Sequence, residues 1–202
     1  KIAACILLFF FLSFGISWSN SIAILNKGNL PPEFKASYNV YKGAVHVGEM
    51  QISLGKNNDR VIYESITSPV GLAALLLGEQ EVTDRAELLF VNGHYQAVEF
   101  KHEIKGSSKN RNEHYIFDWE NNKVSAKYRD KKNIFDLPPY TFDNFSAQLL
   151  MMRKPSSKNS KNIYSVISKG SLKKYIYKLE GDETIETKLG NLKTNKYMRE
   201  KN

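Results

Sequence analysis

Beyond Pro31-Pro32, apolar and polar residues alternate along most of the chain, the mark of strands with one buried face. Phe34, Ala36, Tyr38 and Val40 alternate with Lys35, Ser37, Asn39 and Tyr41, and Lys42-Gly43 then turns the chain. In the next strand Val45 and Val47 hold odd positions, whereas Met50, Ile52 and Leu54 hold even ones. That change of parity beside Gly48 predicts a β-bulge, an extra residue that bends a strand. Further strands are predicted over 61–67, 81–91, 94–104, 111–119, 123–129, 163–168, 172–179, 184–189 and 192–199. Turns separate them at Asn57-Asn58-Asp59, Asn92-Gly93, Asn121-Asn122, Gly170-Ser171, Gly181-Asp182 and Gly190-Asn191.

Two stretches break the alternation. Val70 to Gly78 is apolar on every face, rich in Leu and Ala, and closed by a glycine suited to a helix end. Leu137 to Arg153 begins with Pro138-Pro139, which ends the preceding strand, and Asp143 then reads as the N-cap of a helix. On that helix Phe145, Leu149 and Met152 share one face, and Ala147, Leu150 and Met151 lie broadly opposite. A helix apolar on two sides must be covered on two sides. Short strands, regular turns and no strand–long-helix alternation predict a mainly β, α+β domain built on an antiparallel sheet.

The N-terminal end changes the compartment. Lys1 precedes about fifteen mostly apolar residues, and Ser21-Ile22-Ala23 supplies small residues for a peptidase, so residues 1–23 are expected to be a signal peptide cleaved near Ala23. The run is shorter than the roughly twenty residues of a membrane span. The chain opens on Lys rather than Met, so residues ahead of it are expected. Cys5 is the only cysteine, and the mature domain over 24–202 would have none. Disulfides, thiol catalysis and thiolate metal sites are thereby excluded.

Twenty-nine Lys and Arg against 21 Asp and Glu give a formal net charge of +8. From Arg153 onward there are thirteen Lys or Arg and five Asp or Glu. In an exported protein this directs attention to an anionic membrane surface or an acidic glycan, not to nucleic acid. A solvated strand face with lysines guarding exposed edges is the plainer explanation.

No Gly-x-Ser-x-Gly, His-Glu-x-x-His or glycine-rich phosphate loop is present in the sequence. His94 and His102 share parity on one strand, about 27 Å apart, too far to hold one ion. His102 and His114 could meet across the loop at Gly106, but surface histidines are far commoner than a metal site. Acidic pairs such as Glu99 and Glu103 read as solvated strand carboxylates. The protein is therefore expected to be non-enzymatic, with no cofactor and no metal.

Several short motifs carry a family likeness: Phe34-x-x-x-Tyr38, Gly43 and Gly48, Leu137-Pro138-Pro139, Asp143-x-x-Ser146-x-x-Leu149 and Gly190-x-x-x-Thr194. In their order and spacing the chain resembles an uncharacterised family of exported Gram-negative proteins, domain of unknown function 3108. The resemblance implies a strongly curved antiparallel sheet or half-barrel, similar to periplasmic lipoprotein carriers, with one or two short helices in its concave face. About nine to eleven strands are expected. It brings no catalytic residues. It also implies further strands after Asn202, so the sequence is expected to stop short of the natural C-terminus.

On this reading a lipid, another apolar ligand or a lipidated partner sits in the concave face, lined by Leu72, Leu75, Leu76, Phe145, Leu149 and Met152. The alternative is an envelope interaction module whose core is filled by those helices and whose basic strands bind a protein partner.

Overall fold

The structure is a computed structural model that describes residues 30–78, 80–108, 110–152, 161–187 and 189–200. The expected export segment over 1–23 and most of the polar loop over 156–161 lie outside these residues. Eight strands follow one another in an antiparallel sheet: β1 (Phe34–Lys42), β2 (Val45–Asn57), β3 (Arg60–Pro69), β4 (Glu81–Val91), β5 (His94–Lys105), β6 (Glu113–Asp118), β7 (Lys123–Tyr128) and β8 (Lys131–Asp136). A short helix, α1 (Gly71–Leu77), interrupts the β3–β4 connection. The chain then forms β9 (Thr141–Asp143), α2 (Asn144–Met151), β10 (Lys161–Ser168), β11 (Ser171–Thr187) and β12 (Gly190–Glu200). The last four strands make a second sheet in the order β12-β11-β10-β9, with β9 parallel to β10.

Alternation builds the core row by row. Register aligns Tyr63, Ala86, Phe100, Tyr115 and Ala126 across β3 to β7, and all five are buried. We call this the inner face. Phe142, Tyr164, Val166 and Ile167 of the second sheet join the same core, together with Phe145, Ala147, Leu149 and Leu150 of α2. The ring of Phe145 stacks on that of Tyr63 with centroids 4.1 Å apart. Asp143 caps α2, accepting from the backbone N–H groups of Phe145 (2.9 Å) and Ser146 (2.7 Å) and from the Ser146 hydroxyl (2.5 Å). Both apolar sides of α2 are covered, as its pattern demands.

The second sheet is fastened to the first at the β10–β11 turn. The Lys169 N–H donates to Glu113 (2.8 Å) and the Gly170 N–H to the Tyr115 hydroxyl (3.2 Å). Tyr115 in turn donates to Glu113. Gly170 sits at φ +67°, and a Cβ there would lie 3.0 Å from that of Tyr128. Conformation and space both call for glycine.

Several expectations change. The described residues form twelve strands in two sheets, where about nine to eleven were expected in one. The parity change near Gly48 is a bulge: Val40 pairs with Gly48 and Tyr41 with His46, leaving Val47 as the extra residue. Gly181, expected to turn the chain, lies inside the continuous β11, where Leu179 pairs with Tyr197 and Gly181 with Lys196. At φ +150° it absorbs a bulge instead of reversing direction. Strands β8 and β9 carry no alternation signal and arise from pairing with β7 and β10. The first sheet does not close on itself, since β1 and β8 are its two edges.

Replacing Leu149 by Ala should cost about 2–5 kcal/mol, because the side chain is fully buried and leaves a cavity. Leu76→Ala, at a position 85% exposed, should stay within roughly 0.5 kcal/mol. The Tyr63 hydroxyl is buried without a hydrogen-bond partner among the described residues. Tyr63→Phe should therefore be neutral or stabilising, since an unmet buried donor costs about 1–3 kcal/mol. Urea melts of the three variants check all three values.

Candidate functional site

Antiparallel register gives the large sheet two unlike ends. Gly48 pairs with Pro69, Glu81 with Lys105, Glu113 with Tyr128, and Tyr128 with Lys131. The β1–β2 turn, α1, the β5–β6 loop, the β7–β8 turn and the β10–β11 turn therefore gather at one end. Lys42, Lys105, Arg111, Arg129, Lys131 and Lys169 stand there against Glu81, Glu113 and Asp130. The opposite end carries Asp59, Asp118, Glu120 and Asp136 against Lys56, Arg60 and Lys123.

At the basic end α1 is apolar and uncovered. The Val70 N–H donates to the Val47 carbonyl (3.1 Å), which pins the start of the helix to β2, and the Gly78 N–H closes it on Ala74 (2.8 Å). None of its residues is buried. Leu72, Leu75, Leu76 and Leu77 are 69%, 82%, 85% and 50% exposed. Tyr41 and Val45, at the neighbouring hairpin tip, are exposed as well. Burying one such leucine is worth about 1.5–3 kcal/mol, so this is where the fold leaves apolar contact energy unused.

Below that end, on the inner face, register aligns Asp84, His102 and Glu113 across β4, β5 and β6. They border an open cleft of about 250 Å³ with Gln148, Ser168 and Lys169. His102 Nδ1 lies 2.7 Å from an Asp84 carboxylate oxygen. That hydrogen bond, helped by the charges of Asp84 and Glu113 and opposed by partial burial, raises the imidazole pKa. Such a pair can hold a proton and fix a tautomer. His102 and His114 are one register step apart, but their parities place them on opposite faces of the sheet, so they cannot share an ion. A second open cleft of about 250 Å³ lies at the acidic end, between His94, Gln96, Trp119, Asn122, Leu137 and Tyr140. The Trp119 indole N–H is already committed to the Ala97 carbonyl (2.7 Å).

The six residues expected to line one apolar site are dispersed. Phe145 and Leu149 are buried in the core, Met152 is 46% exposed at the end of α2, and Leu72, Leu75 and Leu76 face solvent. α1 rests on β2 and β3, whereas α2 packs on β4, β9 and β10. The physical reason lies in α1 itself: seven residues inserted between two paired strands remain at the sheet end and cannot reach its inner face. Sequence alone did not single out Asp84 or Lys169, because each becomes meaningful only through cross-strand neighbours.

The family described as protein of unknown function (DUF3108) matches residues 34–200. The chain belongs to that family. No curated protein and no solved structure matches it. Within this family member the match runs from the first residue of β1 to the last of β12, so both sheets and both helices belong to one family unit.

Burial lifts the Asp143 carboxyl to about 6, against the opposing pull of its hydrogen bonds from Ser146 and Phe145. An acid raised from its ordinary value of roughly 4 binds its proton more tightly when folded, so its ionisation removes stability as pH rises through that window. The raised His102 acts in the same direction, its contribution being lost as pH rises above the ordinary histidine value of about 6.5. The melting temperature should therefore be higher at about pH 5.5 than at about pH 7.5. Asp143→Asn, which keeps a capping oxygen, should flatten much of that slope in thermal melts. A parent that melts higher at the more alkaline pH would contradict both assignments.

Proposed function

We propose that the protein is a non-enzymatic component of the cell envelope, exported to the periplasm, that engages an anionic lipid surface through the α1 end of its large sheet. The observation that carries this reading is the coincidence of four exposed leucines on α1 with a basic rim. A short apolar helix can enter the boundary between headgroups and acyl chains, and each nearby Lys or Arg adds about 1 kcal/mol of attraction to an anionic surface. Tyr41 and Lys42 at the adjoining hairpin tip are residue types that suit the same interface. The half-barrel of lipoprotein carriers, which the family resemblance implies, is the sheet shape on which this reading rests. The reading puts the apolar contact at the rim, since α2 and the second sheet pack into the same core as the inner face.

The filled inner face equally favours a second reading, an envelope module that docks a protein partner on the same leucines and basic strands. The two separate on lipid vesicles. The protein should float with vesicles of phosphatidylethanolamine and phosphatidylglycerol, and much less with vesicles of phosphatidylcholine alone. Added salt should weaken the binding. A Leu75→Ser/Leu76→Ser variant should lose about tenfold in vesicle affinity, the equivalent of about 1.4 kcal/mol, with its melting temperature unchanged. No flotation, or flotation indifferent to both leucines, would transfer the surface to the protein partner.

A further inference from the structure

The outer face of the large sheet carries a row of four cations and a histidine that its strand register lines up. Arg85 pairs with Lys101, Lys101 with His114, His114 with Lys127, and Lys127 with Lys132. These five residues come from five consecutive strands, β4 to β8. Chain neighbours Ala86, Phe100, Tyr115 and Ala126 are buried on the inner face, so alternation turns the first four side chains outward, and Lys132 shares their face through its pairing with Lys127. With neighbouring strands about 4.8 Å apart, the row spans roughly 19 Å.

Like charges set directly opposite one another destabilise a sheet, each pair by a few tenths of a kcal/mol or more. Carboxylates offset only one side of the row. Arg85 has Glu87 at 3.5 Å and Glu64 at 3.9 Å, and Glu99 serves both Lys101 (3.0 Å) and His114 (2.8 Å). Partial burial acts to raise the Glu99 carboxyl, but its bonds to His114 and Lys101 outweigh that and hold it below its usual range. Lys127 and Lys132 are exposed and form no ion pair among the described residues. Next to them a cleft of about 190 Å³ is bordered by Lys101, His114, Lys127 and Arg129, with Asn110 and Asn112 at its margin and two carboxylates, Glu103 and Glu113, on its wall. Guarding a free edge explains lysines on β8, but not those on β5 and β7, which are paired on both sides.

We infer that this row binds a linear acidic glycan, a chain with a carboxylate on successive sugars, laid across the strands. Four cations spread along one row complement a polymer of repeated anions more fully than they do a single ion. Single-stranded nucleic acid is disfavoured because its binding sites add aromatic platforms for the bases. On β5 to β8 Tyr95, Phe100, Tyr115, Phe117, Tyr128 and Phe135 share the inner-face parity. The outer row beside the cations offers Ile116, Ser125 and Ile134 instead.

The test uses polygalacturonate oligomers as the probe, with single-stranded DNA and anionic vesicles alongside. The full exported protein should bind the uronate chain with an affinity that falls as salt rises. Lys127→Glu/Lys132→Glu should weaken that binding about tenfold or more. The same change on β11, Lys173→Glu/Lys174→Glu, should leave it near the parent value. Circular dichroism melts guard against a folding defect, and Lys127→Gln/Lys132→Gln, which relieves repulsion, should melt no lower than the parent. Leu75→Ser/Leu76→Ser should bind polygalacturonate normally, so failure here and failure of the lipid-surface reading are distinguishable. Uronate binding indifferent to Lys127 and Lys132 would overturn the inference. So would tighter retention of single-stranded DNA, or of vesicles, by the same two lysines.

Discussion

The fold depends on α2 being held between two sheets. Eight residues could not stay there on helix propensity alone. What fixes them is a buried carboxylate that takes up the free N–H groups of the first turn, and a phenylalanine ring stacked on Tyr63. Because Asp143 ends β9 and caps α2 at once, the pairing of β9 with β10 and the position of the helix are set by one residue. Burial makes the charge on that residue costly, and the cap makes it useful. The balance ties the stability of the domain to pH.

With α2 packed in this way, uncovered apolar surface is left at the end of the sheet instead. α1 cannot fold inward because β3 and β4 pair up to its flanks, and its leucines remain in solvent at one end of the sheet. Register gathers basic turns at that same end and acidic ones at the other. Register also stacks Lys101, His114 and Lys127 on the outer face, where no core packing constrains them. One rule, the two-residue period of a strand, thus produces the apolar core and the charged outer row together.

The order of elements was legible in the sequence because alternation, paired prolines and asparagine–glycine turns act over a few residues. The bulge near Gly48 showed itself as a parity change, and Asp143 as a cap followed by a two-sided apolar helix. Local signals failed where the deciding partner was distant. Gly181 has the composition of a turn, and only eleven residues of β12 lying alongside make it a bulge. Lys131 to Asp136 has no apolar stripe of its own and becomes a strand by pairing with β7.

The candidate sites divide along the same line. The sequence by itself determined that Leu72 to Leu77 is an apolar stretch too short to span a bilayer, that the chain is basic, and that the central helix needs cover on two sides. Those are properties of composition and short-range period. Tertiary structure alone decided that α1 stays exposed while α2 is enclosed, and that Asp84 meets His102. It also decided that four cations and a histidine from five strands form one row. The last two depend on which residues face each other across neighbouring strands, and a one-residue slip in register would send those side chains to the other face.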